Sequence, residues 1–110
     1  MTITTMAKVE NITSNNGNKI ANQFIFTDTI GNKYFQSYNS VIAKINPLDQ
    51  IYLDQKYWNY SNTTGKYRNI FLNETITETK KKIKSGEYKL TDLNSKPVYE
   101  DTVETINLNK

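Results

Sequence analysis

The sequence predicts an α+β fold in which a small antiparallel β-meander packs against two short consecutive helices. Three observations point to it. Runs rich in Ile, Phe, Tyr and Val occupy residues 9–54 and are separated by turns containing Asn, Gly or Pro. After Ser61 the apolar residues switch to helical spacing, and Thr75-Ile76-Thr77-Glu78 spells a capping box. Gly86 then closes the helical pair over 61–86, and strand-like alternation resumes in residues 87–110.

The elements follow in order. Met1–Lys8 is expected to be frayed, and Val9–Thr13 reads as a short strand feeding a tight turn at Ser14-Asn15-Asn16-Gly17-Asn18, because Asn-Gly favours positive φ. From Lys19, KIANQFIFTD carries Ile20, Phe24, Ile25 and Phe26, a strand with a buried centre. Thr29-Ile30-Gly31-Asn32 turns the chain. In the return segment Tyr34, Gln36 and Tyr38 fall on one face and Phe35, Ser37 and Asn39 on the other. The alternation fails at Asn39-Ser40, ahead of Val41 and Ile42, which predicts a bulge, a turn or a break between two strands. Asn46-Pro47 ends this segment, since Pro47 has no N–H for a central ladder, and Gln50–Asp54 forms one more strand.

Ser61 or Thr63 caps the first helix, in which Tyr67, Ile70 and Phe71 form the expected core face through Leu72. Asn73-Glu74 breaks it. The second helix runs from the Thr75–Glu78 box to Ser85, with Ile76, Thr79 and Ile83 as a thin inward stripe. Glu87–Leu93 alternates again, with Tyr88 and Leu90 on one face. Beyond Pro97 the acidic segment reads as a final edge strand or as a tail. An edge strand at Val98–Ile106 would allow a homodimer.

Composition narrows the function. A chain of 110 residues is expected to form one domain, 1–110, that buries roughly two-thirds of its unfolded surface. Aromatic residues at 12% compensate for sparse aliphatics. With no Cys and no His, disulfides, thiolate nucleophiles, Cys-based metal sites and the usual general base are excluded. Asp49 with Asp54, or Glu74 with Glu78, are carboxylate pairs that arise readily in a chain with 11 acids. Thr63-Thr64 has only Lys66 as a conceivable base, and capping accounts for these hydroxyls better. We therefore expect no catalysis, no cofactor and no metal. No apolar run approaches the roughly 18–20 residues of a membrane span, and the N-terminus lacks the pattern of a signal peptide, so a soluble protein is expected.

The net charge of +3 is unevenly spread: residues 56–89 hold eight basic against three acidic groups. This basic third overlaps Gln55–Leu72, which packs the single Trp, the single Arg and three of eight Tyr into one stretch. Lys56, Tyr57, Tyr60, Lys66 and Arg68, continued by Lys80, Lys81, Lys82 and Lys84, are the candidate binding residues. They combine cations for phosphates with aromatic rings for bases. Trp58 is expected in the core, with at least one neighbouring Tyr exposed. A helix-turn-helix is disfavoured, because Ile76, Thr77 and Glu78 occupy the turn where base contacts concentrate.

The runs Tyr34-Phe35-Gln36-Ser37-Tyr38-Asn39-Ser40-Val41-Ile42-Ala43 and Tyr57-Trp58-Asn59-Tyr60-Ser61-Asn62-Thr63-Thr64-Gly65-Lys66-Tyr67-Arg68, followed by Phe71-Leu72, resemble a family of small bacteriophage and mobile-element proteins, a domain of unknown function. The resemblance spans about residues 18–93. It implies a phage-type origin, hence the cytoplasm of a bacterial host, and carries no active residues with it. Two roles follow as expectations: a nucleic-acid-binding accessory protein, or a protein-binding inhibitor of a host defence nucleoprotein, of the anti-CRISPR or related anti-defence kind.

Overall fold

A computed structural model describes residues 6–14 and 16–95. Of the segment expected to be frayed, Met1–Lys8, residues 1–5 lie outside the described residues, as does the edge strand expected at Val98–Ile106, whereas Met6–Lys8 belong to a strand. Among the described residues, six strands form one sheet: β1 (Met6–Thr13), β2 (Lys19–Asp28), β3 (Lys33–Ser37), β4 (Ser40–Ile45), β5 (Ile51–Asp54) and β6 (Lys89–Thr91). Strand order is sequence order. Helices α1 (Asn62–Leu72) and α2 (Ile76–Ser85) connect β5 to β6. β1 starts at Met6, three residues before the expected Val9.

The first five strands pair antiparallel because short turns join them, and local side-chain and backbone contacts close those turns. Gly17 takes φ 84°. One carboxylate oxygen of Asp28 accepts from the N–H groups of Ile30, Gly31 and Asn32 at 2.9–3.0 Å. Asn46 Oδ1 does the same for Leu48 and Gln50. β6 departs from the pattern by pairing parallel with β5. The two intervening helices carry the chain back to the end where β5 began, which a hairpin turn does not do.

The broken alternation around residues 39–42 resolves into two features. Tyr38, at φ 57°, and Asn39 turn the chain between β3 and β4. The register then passes from Gln36 opposite Val41 to Phe35 opposite Ala43, leaving Ile42 as an extra residue. This bulge lets Val41 bury on one face while Ile42 and Ala43 bury on the other.

The row Ile25, Phe35, Ala43, Leu53 runs across the sheet toward the helices. Phe35, Ile42, Ala43 and Leu53 are fully buried there, with Tyr67, Phe71, Leu72 and Ile83 packed on them and the Phe35 and Phe71 rings 5.7 Å apart. α1 lies against β3 and β4. Ile70, expected on this face, is instead 56% exposed, because the inward line of α1 runs through Thr64, Tyr67, Arg68, Phe71 and Leu72. On the other face Phe26 stacks on Tyr34 at 4.8 Å, and Lys44 Nζ lies 5.8 Å from Tyr34 and 5.7 Å from Tyr52. Leu90, expected on the same face as Tyr88, is 43% exposed while Tyr88 is buried, since Tyr88 precedes the short β6 and is oriented by its own contacts.

Candidate functional site

The helical half begins with a turn held by a buried carboxylate. Asp54, 1% exposed, accepts from the N–H groups of Lys56 and Tyr57 through Oδ2 and from that of Leu93 through Oδ1. The turn presents Lys56, Tyr57 and Tyr60 together. Lys56 Nζ sits 5.5 Å from the Tyr57 ring, and Tyr60 meets that ring edge-on at 5.4 Å. Tyr57 is half-buried against the core, whereas Tyr60 is 46% exposed.

Ser61 is the N-cap of α1, accepting from Thr64 N–H at 3.1 Å, so the cap is Ser61 and not Thr63. Thr64 is fully buried, its hydroxyl 2.9 Å from that of Ser37 and 3.1 Å from that of Ser61. The paired hydroxyls of this stretch thus hold the helix to the β3 end. Lys66 faces out, its ammonium 5.3 Å from the Tyr67 ring.

Arg68 corrects the sequence-based expectation. The sequence groups it with the candidate binding residues, yet it is 1% exposed. Its Nη1 donates to the Trp58 carbonyl and to Asn59 Oδ1, and its Nη2 to Asn69 Oδ1, at 2.8–2.9 Å. The guanidinium lies 5.3 Å from the Trp58 ring. Burial lowers its pKa, and the charge of Glu74 opposes that. Position 68 is one turn beyond Thr64 and beside Tyr67, so helical phase put it inside. Trp58 itself is half-buried against the core cluster, with Arg68 on its ring.

Glu74 is the residue that sequence reasoning missed. Its side chain is 4% exposed and accepts from Thr79 Oγ1 at 2.6 Å, Tyr88 Oη at 2.7 Å and Lys82 Nζ at 2.8 Å. Burial pushes its pKa up, but the three hydrogen bonds and the Lys82 charge outweigh burial and leave it below the usual carboxylate range. Lys82 is raised in return, chiefly by its bond to Glu74, and Tyr88 is pushed up to about 12 by burial and by the same carboxylate. Lys82 is therefore removed from the free basic face on which it was placed. The local signal was Glu74 preceding Thr79 and Lys82, but its third partner, Tyr88, comes from beyond the helix.

Lys80, Lys81 and Lys84 stay exposed on α2 without a hydrogen bond or ion pair to described residues. Three of the four carboxylates in the pairs noted from sequence are engaged elsewhere. Glu78 Oε1 accepts from Thr75 N–H in the capping box, Glu74 is committed as above, and Asp54 is spent on backbone. No group of three or more His, Cys, Asp or Glu able to hold a metal occurs among the described residues, nor is any helix there long and apolar enough to cross a membrane.

These features define a small α+β protein whose five-strand meander and parallel sixth strand carry a helical crossover with a basic outer face. The chain belongs to a family of unknown function, DUF8033, whose model matches residues 7–89. That span takes in both helices and every candidate residue from Lys56 to Lys84. No curated protein and no solved structure matches the chain.

Proposed function

We propose that this protein binds nucleic acid without catalysis, as a small accessory factor with weak sequence preference, acting in the cytoplasm of a bacterial host as a phage-type protein. The observation that supports this is the set of exposed lysines along the helical half. Lys66, Lys80, Lys81 and Lys84 have no acidic partner among the described residues, and Lys56 extends the set to the aromatic turn. Cations that no carboxylate neutralises are available to phosphates, which supply most of non-specific nucleic-acid affinity. Arg68 and Lys82 play no part in that surface.

The test is a salt titration of binding to single- and double-stranded DNA and RNA. The slope of log affinity against log salt should approach roughly 0.7–0.9 per phosphate contacted. Reversing two charges, Lys80→Glu with Lys84→Glu, should flatten that slope and weaken binding while the fold persists. Absence of binding at low salt overturns the proposal.

A second reading, a protein-binding inhibitor of a host defence nucleoprotein, draws on Tyr60 and Ile70, which are large, apolar or aromatic, and about half exposed. It requires a specific host protein to be recovered with the chain from nuclease-treated lysate, and to be lost with Tyr60→Ala. Recovery of no specific host protein would rule it out.

A further inference from the structure

The parallel strands β5 and β6 end side by side, with Asp54 paired to Thr91. Two turns leave those ends, one toward α1 and one beyond β6. Between them lies a cleft of about 230 Å³, lined by Gln55, Lys56 and Tyr57 on one side and by Asp92 and Ser95 on the other.

Three properties of the cleft point to its ligand. Its two walls are tied together, because the buried Asp54 carboxylate holds the N–H groups of Lys56 and Tyr57 on one side and of Leu93 on the other. One wall carries a cation and the Tyr57 ring, and beyond the lining the exposed Tyr60 meets Tyr57 edge-on. The other carries the exposed Asp92 carboxylate, whose Oδ1 accepts from the backbone of Asn94 and Ser95 and which also interacts with the Ser95 side chain and with the charge of Lys56 across the cleft. The backbone bond from Asn94 holds this carboxyl below its usual range, so it is an acceptor only at neutral pH. Sites for drug-sized ligands enclose roughly 300–1,000 Å³. A smaller cleft has room for one flat ring system, not for a whole nucleotide or a duplex groove.

We propose that the cleft receives one unpaired base of a single-stranded nucleic acid, with a neighbouring base stacked on Tyr60, Lys56 at the phosphate between them, and Asp92 accepting from an amino group of the inserted base. This rests on the nucleic-acid reading above and gives it a substrate class. A paired, stacked base cannot enter, so single strands are preferred over duplex. Cytosine, adenine and guanine offer an exocyclic amino donor. Thymine and uracil present their ring N–H between two carbonyls that repel a carboxylate, and they bind less well.

The experiment measures fluorescence anisotropy of the full chain at low salt with short labelled dC, dA and dT homopolymers and a mixed-sequence duplex of equal length. dC and dA should bind at least about tenfold more tightly than the duplex, and Tyr60→Ala should weaken single-strand binding by roughly ten- to hundredfold while sparing the duplex. Asp92→Asn, which keeps an oxygen for the Asn94 and Ser95 N–H groups, should erase the advantage of dC over dT. Equal binding of single strands and duplex, with no effect of Tyr60→Ala, overturns the cleft proposal and leaves the nucleic-acid reading standing. An advantage of dC over dT that survives Asp92→Asn removes Asp92 from the site and overturns the base preference. Absence of binding to every oligonucleotide brings down both.

Discussion

Along α1 and α2 the inner and the outer face are both built from polar residues, and they behave in opposite ways. Inside, Thr64, Arg68 and Thr79 are each at most 1% exposed and the Glu74 side chain 4%, every one held by named partners. Outside, Lys66, Lys80, Lys81 and Lys84 have solvent and no acid among the described residues. Polarity alone does not separate the two sets. Helical phase and partner count do, and in a chain this poor in aliphatics the seam between helices and sheet is closed by satisfied polar groups as well as by rings.

Breaking the inner face at its most demanding member gives the largest effect. Arg68→Ala removes three charge-assisted hydrogen bonds and a guanidinium stacked on Trp58. It leaves the Trp58 carbonyl and two Asn oxygens without their donor, and should cost about 3–5 kcal/mol in urea unfolding. Arg68→Lys should recover less than half of that, because a single ammonium does not span the positions that the planar fork reaches. A loss under about 1 kcal/mol would return Arg68 to the surface.

Glu74 is next. Glu74→Gln keeps the shape but exchanges a carboxylate shared by Thr79, Lys82 and Tyr88 for an amide, at an expected cost of about 2 kcal/mol at neutral pH. The pH dependence has a definite sign. A carboxyl held below its unfolded value of about 4.3 adds stability that is complete above that pH and disappears as pH falls through the folded value. Wild-type and Glu74→Gln unfolding curves should therefore converge in acid and separate toward neutrality. Tyr88 acts at the other extreme: its stabilising contribution is complete below about pH 10 and fades as pH rises toward about 12.

Arg68 leaves its Nε without a partner while its other nitrogens are bonded, and one further inner residue breaks the rule outright. Gln23 is fully buried opposite Ser37, and neither its amide nitrogen nor its oxygen has a partner. Its neighbour Asn22 sits at φ 64° and accepts from Tyr38 N–H, so the strand is distorted at this point. A buried amide without partners is a net cost, and Gln23→Met, close to it in volume, should be neutral or stabilising by up to about 1 kcal/mol. A clear destabilisation in thermal unfolding would show instead that Gln23 is hydrogen-bonded in solution.

The same contrast explains what the sequence made legible. Features settled within a few residues were readable: the Asn-Gly and Asn-Pro turns, the Ser61 cap, the Thr75–Glu78 box and the Gly86 stop all act locally. The grouping of Lys56, Tyr57 and Tyr60 was also readable, since one turn contains all three. Features that depend on long-range closure were not. β6 is parallel because of where the crossover returns it, Asp92 reaches the cleft only through that pairing, and Glu74 finds Tyr88 only once β6 is in place. Arg68 lay between the two cases. Its spacing from Thr64, Tyr67 and Phe71 marked the inner face, but its charge argued for the outer one, and the available oxygens of Trp58, Asn59 and Asn69 decided the matter.

The smallest effect separates two adjacent lysines. Lys82 bonds Glu74 at 2.8 Å with its side chain 37% exposed, while Lys81 is exposed and unpaired among the described residues. An ion pair that reaches solvent contributes modestly, so Lys82→Ala should cost a few tenths to about 1 kcal/mol, and Lys81→Ala should stay within about 0.5 kcal/mol of wild type. Added salt should shrink the Lys82 difference and leave Lys81 unchanged, because screening acts on a formed pair. For nucleic-acid affinity the ranking should invert: Lys81→Ala weakens binding and reduces its salt dependence, whereas Lys82→Ala leaves both nearly intact, since its ammonium is already held by Glu74. If Lys82→Ala lowers affinity as much as Lys81→Ala, the Glu74 bond does not withhold Lys82 from ligand, and the division between inner and outer face fails at that position.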